Sequence, residues 1–268
     1  MEYDPIKNKL GLLFNKSPFL RKTFYNLLDL LLLRTWHIHK EIRKWEKSAP
    51  AKANILDAGM GFGQYSHYMA RKHRDWNILG VDVKEEQIAD CNNFFSKIGL
   101  KNARFEFADL TKFSHPDTYD FALSVDVMEH ILEDVQVFIN IYASLHKGGM
   151  LLISTPSDQG GSDVEEGSEE SFIGEHVRNG YNINEIEEKL KRAGFSKVEA
   201  HYSYGKPGHI SWVLSMKYPM KMLSFSTALL ILLPFYYLVT FPFALILNQM
   251  DTIGHHAKGT GLIVKAWK

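Results

Sequence analysis

Between residues 54 and 155 the chain switches repeatedly between short apolar runs and longer amphipathic ones, and this alternation constrains the fold more than any other feature. Residues 55–58, 76–81, 104–107, 121–125 and 150–154 have the length and composition of strands. Residues 65–74, 84–98 and 133–145 between them have helical length and spacing. A strand, a crossover helix and another strand, repeated, predict an open, doubly wound α/β sheet with helices on both faces. Residues 184–193, stopped by Gly194, predict one more helix, and residues 197–203 and 261–267 supply two late strands.

A chain of 268 residues with 45% hydrophobic and 23% charged side chains is large enough for one principal domain plus an appendage. Lysine and arginine number 31, as do aspartate and glutamate, so no net positive field exists to attract a nucleic-acid backbone. The single cysteine, Cys91, cannot form an internal disulfide, and the N-terminal residues lack the pattern of a secretory signal; a reducing, cytoplasmic compartment is expected. No cysteine and histidine cluster has the spacing of a metal site, so no metal is expected.

The first strand runs into Asp57-Ala58-Gly59-Met60-Gly61-Phe62-Gly63, followed by Gln64 at the opening of a helix. Glycines at alternate positions let the backbone turn tightly and approach a ligand at the carboxyl end of a strand, where open sheets bind nucleotide-like cofactors. A dinucleotide fingerprint would place its third glycine where Gln64 stands, and would not need an acid at position 57.

This loop, followed in order by Val81-Asp82-Val83, Ala108-Asp109-Leu110 and Asp126-Val127-Met128-Glu129-His130, resembles the class I S-adenosylmethionine-dependent methyltransferases, and most closely their small-molecule and quinone-biosynthesis branch. Residues 145–153 resemble that family's fifth strand, and the likeness covers residues 50–204 plus the last strand. It implies a Rossmann-like sheet of seven strands, mostly parallel with the last antiparallel, and S-adenosylmethionine as cofactor. The resemblance gives Asp82 the two ribose hydroxyls and Asp109 the adenine amino group, with Leu110 as backbone donor. Gly59 and Gly61 would admit the methionine portion, Asp57 would orient the loop or the ammonium, and Asp126 and Val127 would line the other side. Met60, Gly63 and Val83 fall on the same cofactor side. Taken alone, strand-end aspartates such as Asp82 and Asp109 cap the next helix more often than they bind a ligand.

A sulfonium methyl group needs chiefly an in-line nucleophile at close range, and a base matters only if the acceptor must lose a proton. His130, directly after the fourth strand, and His176, after an acidic loop, are the two histidines placed for that role, His130 having a structural alternative. Met128, Arg178 and Tyr181 are expected toward the acceptor, Arg178 to meet an anionic group or to neutralise part of the acidic loop.

Charge is uneven along the chain. Residues 157–190 hold ten acids against Arg178 and Lys189, and the polar loop within residues 157–183 suggests a lid or a solvated connector. Residues 1–48 are basic and amphipathic, suited either to cap the sheet or to touch an anionic membrane. Residues 222–247 carry no Asp, Glu, Lys, Arg or His over 26 positions, the length of a membrane-spanning helix. The family likeness puts this insert, residues 205–255, between the sixth and seventh strands, so both ends must return to one side of the protein. Pro234 is expected to divide the apolar run 222–247 into two arms of 12 to 13 residues, each too short to span. With Lys206, Lys217 and Lys221 before that run, and Tyr218, Tyr236 and Tyr237 as amphipathic aromatics, the expectation is peripheral or monotopic attachment to the inner face of a membrane, the last strand following in residues 256–268. Covering a substrate tunnel or a dimer interface is the competing expectation. The function expected is methyl transfer to a hydrophobic, lipid-like small molecule, at a phenol, quinol or carboxylate oxygen, in lipid, quinone or polyene biosynthesis. A membrane-associated cofactor-binding scaffold without turnover and an NAD-dependent oxidoreductase are the alternatives.

Overall fold

The computed structural model describes residues 17–160 and 177–268. Strands β1 (Asn54–Ala58), β2 (Asn77–Asp82), β3 (Ala103–Phe107), β4 (Tyr119–Val125), β5 (Leu145–Pro156), β6 (Lys197–Ser203) and β7 (Gly261–Trp267) form one sheet in the order β3-β2-β1-β4-β5-β7-β6. β7 is antiparallel to both of its neighbours, and the pairings among the first five strands are parallel. The central strands read as unbroken apolar runs because both of their faces are covered. Successive residues point to opposite layers, so Ile55 joins the core on one side and Leu56 the core on the other. At the β3 edge Phe105 is the one buried residue of its strand.

Two helices precede the sheet, α1 (Pro18–Leu31) and α2 (Leu33–Trp45). Ser17 caps α1 by accepting from the Leu20 amide, and Pro18 sits in the first turn, where its missing N–H costs nothing. Tyr25, Ile38 and Ile42 are buried in one core layer with Met69 and Phe94, so these helices cap the sheet. Of the basic residues that suggested a membrane face, Arg21 and Arg34 are drawn inward, while Lys22, Arg43 and Lys44 stay exposed. Arg21 is buried, donating to the Phe62 carbonyl and the Cys91 sulfur, and Arg34 pairs with Asp126.

The crossover helices are α3 (Gln64–Lys72), α4 (Glu85–Lys97), α5 (Asp134–Ser144) and α6 (Ile183–Arg192). The insert after β6 contains α7 (Lys206–Trp212), a π-helical turn (Val213–Lys217), α8 (Tyr218–Phe225), a 3-10 turn (Thr227–Ile231) and α9 (Leu233–Ile253). Two arms of equal length were expected; the second is instead a single helix of 21 residues, about 31 Å long. Pro234 stands in its first turn, where proline starts a helix rather than breaking it, and Pro242 is tolerated inside. By length and composition α9 is able to cross a membrane. Its C-terminal half is fastened to the domain: Asn248 accepts from Ser211 Oγ at 2.6 Å, and the fully buried Asp251 lies 2.8 Å from His37 Nε2 of α2.

The opposite face of α9 presents Phe235, Leu238, Val239, Phe243, Ile246, Met250 and Ile253, each at least 51% exposed. Their spacing of three and four residues places them on one stripe, with Phe225, Ile231 and Leu232 exposed nearby in sequence. The amphipathic pattern is thus inverted relative to a helix that packs its apolar side on a core.

Candidate active site

Asp57, buried one residue before the end of β1, accepts from Ser66 Oγ of α3 at 2.6 Å, tying strand to helix across the loop between them. Burial pushes its carboxyl up to about 6. The loop turns through three left-handed glycines, Gly59, Gly61 and Gly63. A Cβ on Gly59 would lie 2.3 Å from Val127 Cγ2, so the loops after β1 and β4 touch at a point only glycine permits. Space opens at Gly61, where a Cβ would meet nothing nearer than 3.9 Å.

Asp82 stands at the end of β2 with Oδ2 accepting from the Gly61 amide at 3.0 Å and Oδ1 from the Lys84 amide at 3.0 Å. Each oxygen keeps a second lone pair for a ligand diol. The residues therefore fit S-adenosylmethionine: an open glycine backbone at Gly61, with a carboxylate hydrogen-bonded to that same residue. Val83, next in sequence, is an exposed apolar side chain on this rim.

Asp109 closes a turn after β3, with no helix following it. Its Oδ1 accepts from both the amide and the hydroxyl of Thr111, at 2.9 and 2.7 Å, and these bonds hold its carboxyl below the ordinary value. Leu110 buries its side chain in the core, and its carbonyl accepts from Asn140. Met60 is likewise buried, beside Cys91, so it reaches a cofactor through its backbone alone. After β4, Asp126 adopts φ +52 and pairs with Arg34, which brings α2 across the cofactor side of the sheet.

The residues expected to face the acceptor are mostly occupied in holding this loop. Met128 and Tyr181 are fully buried, and the Tyr181 hydroxyl donates to Asp134 at 2.7 Å. Arg178 meets no acidic-loop residue among those described; it pairs with Asp134 and donates to the Ile131 carbonyl. Burial raises Asp134, but hydrogen bonds from Lys189 and Tyr181 and the charge of Arg178 outweigh it and keep the carboxyl low. Met128, Arg178 and Tyr181 are thus all engaged with neighbours inside the protein. His130 ends a short 3-10 turn, Met128–His130, half-buried at the rim. His176 lies outside the described residues.

Sequence reasoning missed Glu129. It is buried, accepts from Thr155 Oγ1 at 3.0 Å, and is pushed by burial up to about 7, against the lowering pull of Arg34 and Arg178. It also missed the clamp formed by α1 on the glycine loop: Gln64 Nε2 donates to Asp29 at 2.6 Å, and the Tyr25 hydroxyl donates to the Phe62 carbonyl. The side chain at the position of the absent third glycine is thus a tie to the N-terminal helix.

A seven-stranded sheet with β7 inserted antiparallel, a left-handed glycine loop after β1 and an acid at the end of β2 define the class I methyltransferase fold and its cofactor site. The methyltransferase domain family matches residues 50–208, and the chain belongs to it, with S-adenosylmethionine as the family's cofactor. In sequence it is 32% identical over 151 residues to phosphoethanolamine N-methyltransferase 1 of Zea mays, covering 54% of this chain and 28% of that protein. It is 33% identical over 85 residues to a probable (S)-tetrahydroprotoberberine N-methyltransferase 2 of Papaver bracteatum, covering 32% and 24%. The chain therefore spans about a quarter of the length of the curated relatives it matches. In structure it resembles phosphoethanolamine N-methyltransferase 2 of Haemonchus contortus in complex with S-adenosyl-L-methionine, at TM-score 0.60 and 20% identity over 91% of this chain and 60% of that one. The [4+2]-cyclase SpnF matches at TM-score 0.55 and 18% identity over 81% and 75%, so the fold alone does not select one reaction.

Proposed function

We propose that this protein transfers a methyl group from S-adenosylmethionine to a lipid-like small molecule while attached, peripherally or monotopically, to the inner face of a membrane. The observation that carries this reading is the outward apolar stripe of α9, fastened by Asp251 to the helix that supplies Arg34 to the cofactor side. An enzyme gains from resting on lipid when its acceptor resides there. Lys206 and Lys221 precede α9 in sequence, and Tyr236 and Tyr237 lie within it, groups suited to an anionic interface. A reducing cytoplasm suits Cys91, a buried thiol pushed up to about 12.

The bound cofactor supplies an activated sulfonium methyl. The chain's own part is to orient it and keep water out: Asp82 and Gly61 hold the nucleoside side, Asp57 keeps strand and helix in register, and Asp126 and Val127 close the other flank. An oxygen acceptor must give up a proton, for which His130 at the rim is the assigned recipient.

A second reading, methylation of an amine nitrogen, is favoured by the match to phosphoethanolamine N-methyltransferases. Both are tested by incubating the full chain with methyl-labelled cofactor and lipid extract. Label in the organic phase, absent with Asp82→Ala, is the expected result. Release of labelled methanol on alkaline hydrolysis identifies a methyl ester, whereas label in an amine that survives it identifies nitrogen transfer. Label confined to water-soluble products, or equal flotation on vesicles of wild type and Phe235→Asp/Val239→Asp, would overturn the lipid-surface reading.

A further inference from the structure

Where β5, β6 and β7 meet, Pro156 and Ser203 are both in register with Gly261, so the exits of two strands and the start of a third share one edge of the sheet with the glycine loop. A cleft of about 330 Å³ opens there. Tyr204, Lys206, His209 and Ile210 line it from the start of the insert, and Gln159 and Lys258 from the chain after β5 and before β7.

Its walls are built without slack. Ser157 Oγ donates to the Gly259 carbonyl at 2.5 Å, and the Thr260 amide donates to the Tyr204 carbonyl. A Cβ on Gly259 would lie 2.1 Å from the Ser203 carbonyl oxygen, and one on Gly205 would lie 2.2 Å from His256 Nδ1. Asp251, buried beneath, spends its two oxygens on the Tyr204 and Gly208 amides and on His37.

The charge of the lining is one-sided. Among its described residues are Lys206, Lys258 and His209, and no carboxylate. The half-buried Lys189, Lys265 and Lys268 are paired, with Asp134, Glu199 and Asp117 respectively, while exposed lysines such as Lys22, Lys52 and Lys101 lie outside this cleft. Lys206 and Lys258 have no ion-pair partner among the described residues, whereas their cleft concentrates like charge in a concave surface, an arrangement that attracts anions. Toward the cofactor, the Tyr204 hydroxyl accepts from the Arg34 amide at 2.9 Å, and Arg34 pairs with Asp126. Toward the insert, the half-exposed Ile210 precedes Ser211, which is bonded to α9.

We propose that this cleft binds the anionic group, a phosphate or carboxylate, of an amphiphilic acceptor, and that Lys206 and Lys258 select for its charge. The proposal deepens the reading of a lipid-like acceptor and rests on it. To test it, the full chain is titrated by tryptophan emission with dodecyl phosphate, and with uncharged dodecyl maltoside, both below their micellar concentrations. Wild type is compared with Lys206→Ala/Lys258→Ala and Lys206→Gln/Lys258→Gln. Both double variants are expected to bind dodecyl phosphate at least tenfold more weakly while binding the maltoside as before. Displacement of dodecyl phosphate by inorganic phosphate would support a free phosphate ester as the ligand; displacement by phosphatidate vesicles alone would support a lipid head group. Equal affinity of wild type and both variants for dodecyl phosphate would overturn the proposal. Thermal stabilisation by S-adenosylhomocysteine, expected in all three proteins, reads the methyltransferase assignment separately: its loss with lysine-dependent binding intact would tell against that assignment and support the anion selectivity of the cleft.

Discussion

Replacing Gly59 by alanine isolates the contact on which the cofactor loop is built. Two costs arise. The backbone at φ +78 is left-handed, where a Cβ costs about 1–2 kcal/mol. The new Cβ would also stand 2.3 Å from Val127 Cγ2, an overpacking that costs about 1–3 kcal/mol. Their sum, roughly 2–5 kcal/mol, corresponds to about 30- to 4000-fold in an equilibrium constant at 1.4 kcal/mol per tenfold. If the loop stays in place the loss appears in thermal stability; if it moves, in affinity for S-adenosylhomocysteine. Calorimetric titration and thermal unfolding should be run on Gly59→Ala, Val127→Ala and the double variant. Shortening Val127 removes the clash but not the backbone strain, so the double variant should recover about 1–3 kcal/mol of the Gly59→Ala loss. Additive effects in both measurements, or a Gly59→Ala protein that binds within twofold of wild type at unchanged stability, would refute the argument.

Two further outcomes concern buried acids. Asp57 and Glu129 are raised by burial to about 6 and about 7, above their ordinary values of 3.8 and 4.5. Their folded forms hold protons that the unfolded chain has released, so their stabilising contribution is full below pH 4 and is lost as pH rises through 6 to 7. The contribution of these two acids should therefore fall between about pH 4 and 7, against a rise over the same range from His39, His67 and His201, which burial holds below their ordinary value; Glu129→Gln, which cannot ionise, should remove roughly 3 kcal/mol of that fall relative to wild type, measured by calorimetry across the range. Asp251→Asn should destabilise by about 3–5 kcal/mol, since it breaks a fully buried pair with His37 while disturbing the Tyr204 and Gly208 amides. Chemical denaturation checks this, and a loss under 1 kcal/mol would mean that the insert is held elsewhere.

The sheet was legible in the sequence because β1, β2, β4 and β5 are covered on both faces and so carry unbroken apolar runs, while Asp82 and the three glycines fall at strand ends that the alternation itself locates. What was hidden depends on contacts distant along the chain. Arg21 and Arg34 read as surface charge on amphipathic helices, yet their partners include Phe62 and Asp126, residues that only the folded chain brings near. Tyr181 and Met128 stand in segments that suggest ligand contact, but the pattern does not reveal that they meet: the Tyr181 hydroxyl that donates to Asp134 lies 3.1 Å from the Met128 carbonyl. Pro234 was read as a breaker since proline inside a helix is costly; its position in the first turn of α9 inverts that meaning.

The placement of β7 has a consequence for how the protein comes to be made. β5 and β6 lie one strand apart and do not touch; the ribbon that joins them is synthesised after the whole apolar insert. During translation, α9 therefore leaves the ribosome while two sheet edges are still unpaired, which is a sticky intermediate. The contact order is correspondingly high at this end of the sheet, and β7 can close it only once the insert has been synthesised. A greasy helix that met lipid, or a holdase, in that interval would be withdrawn from competition for the open edges, so the surface proposed to serve the mature protein would also protect the chain while it is being made.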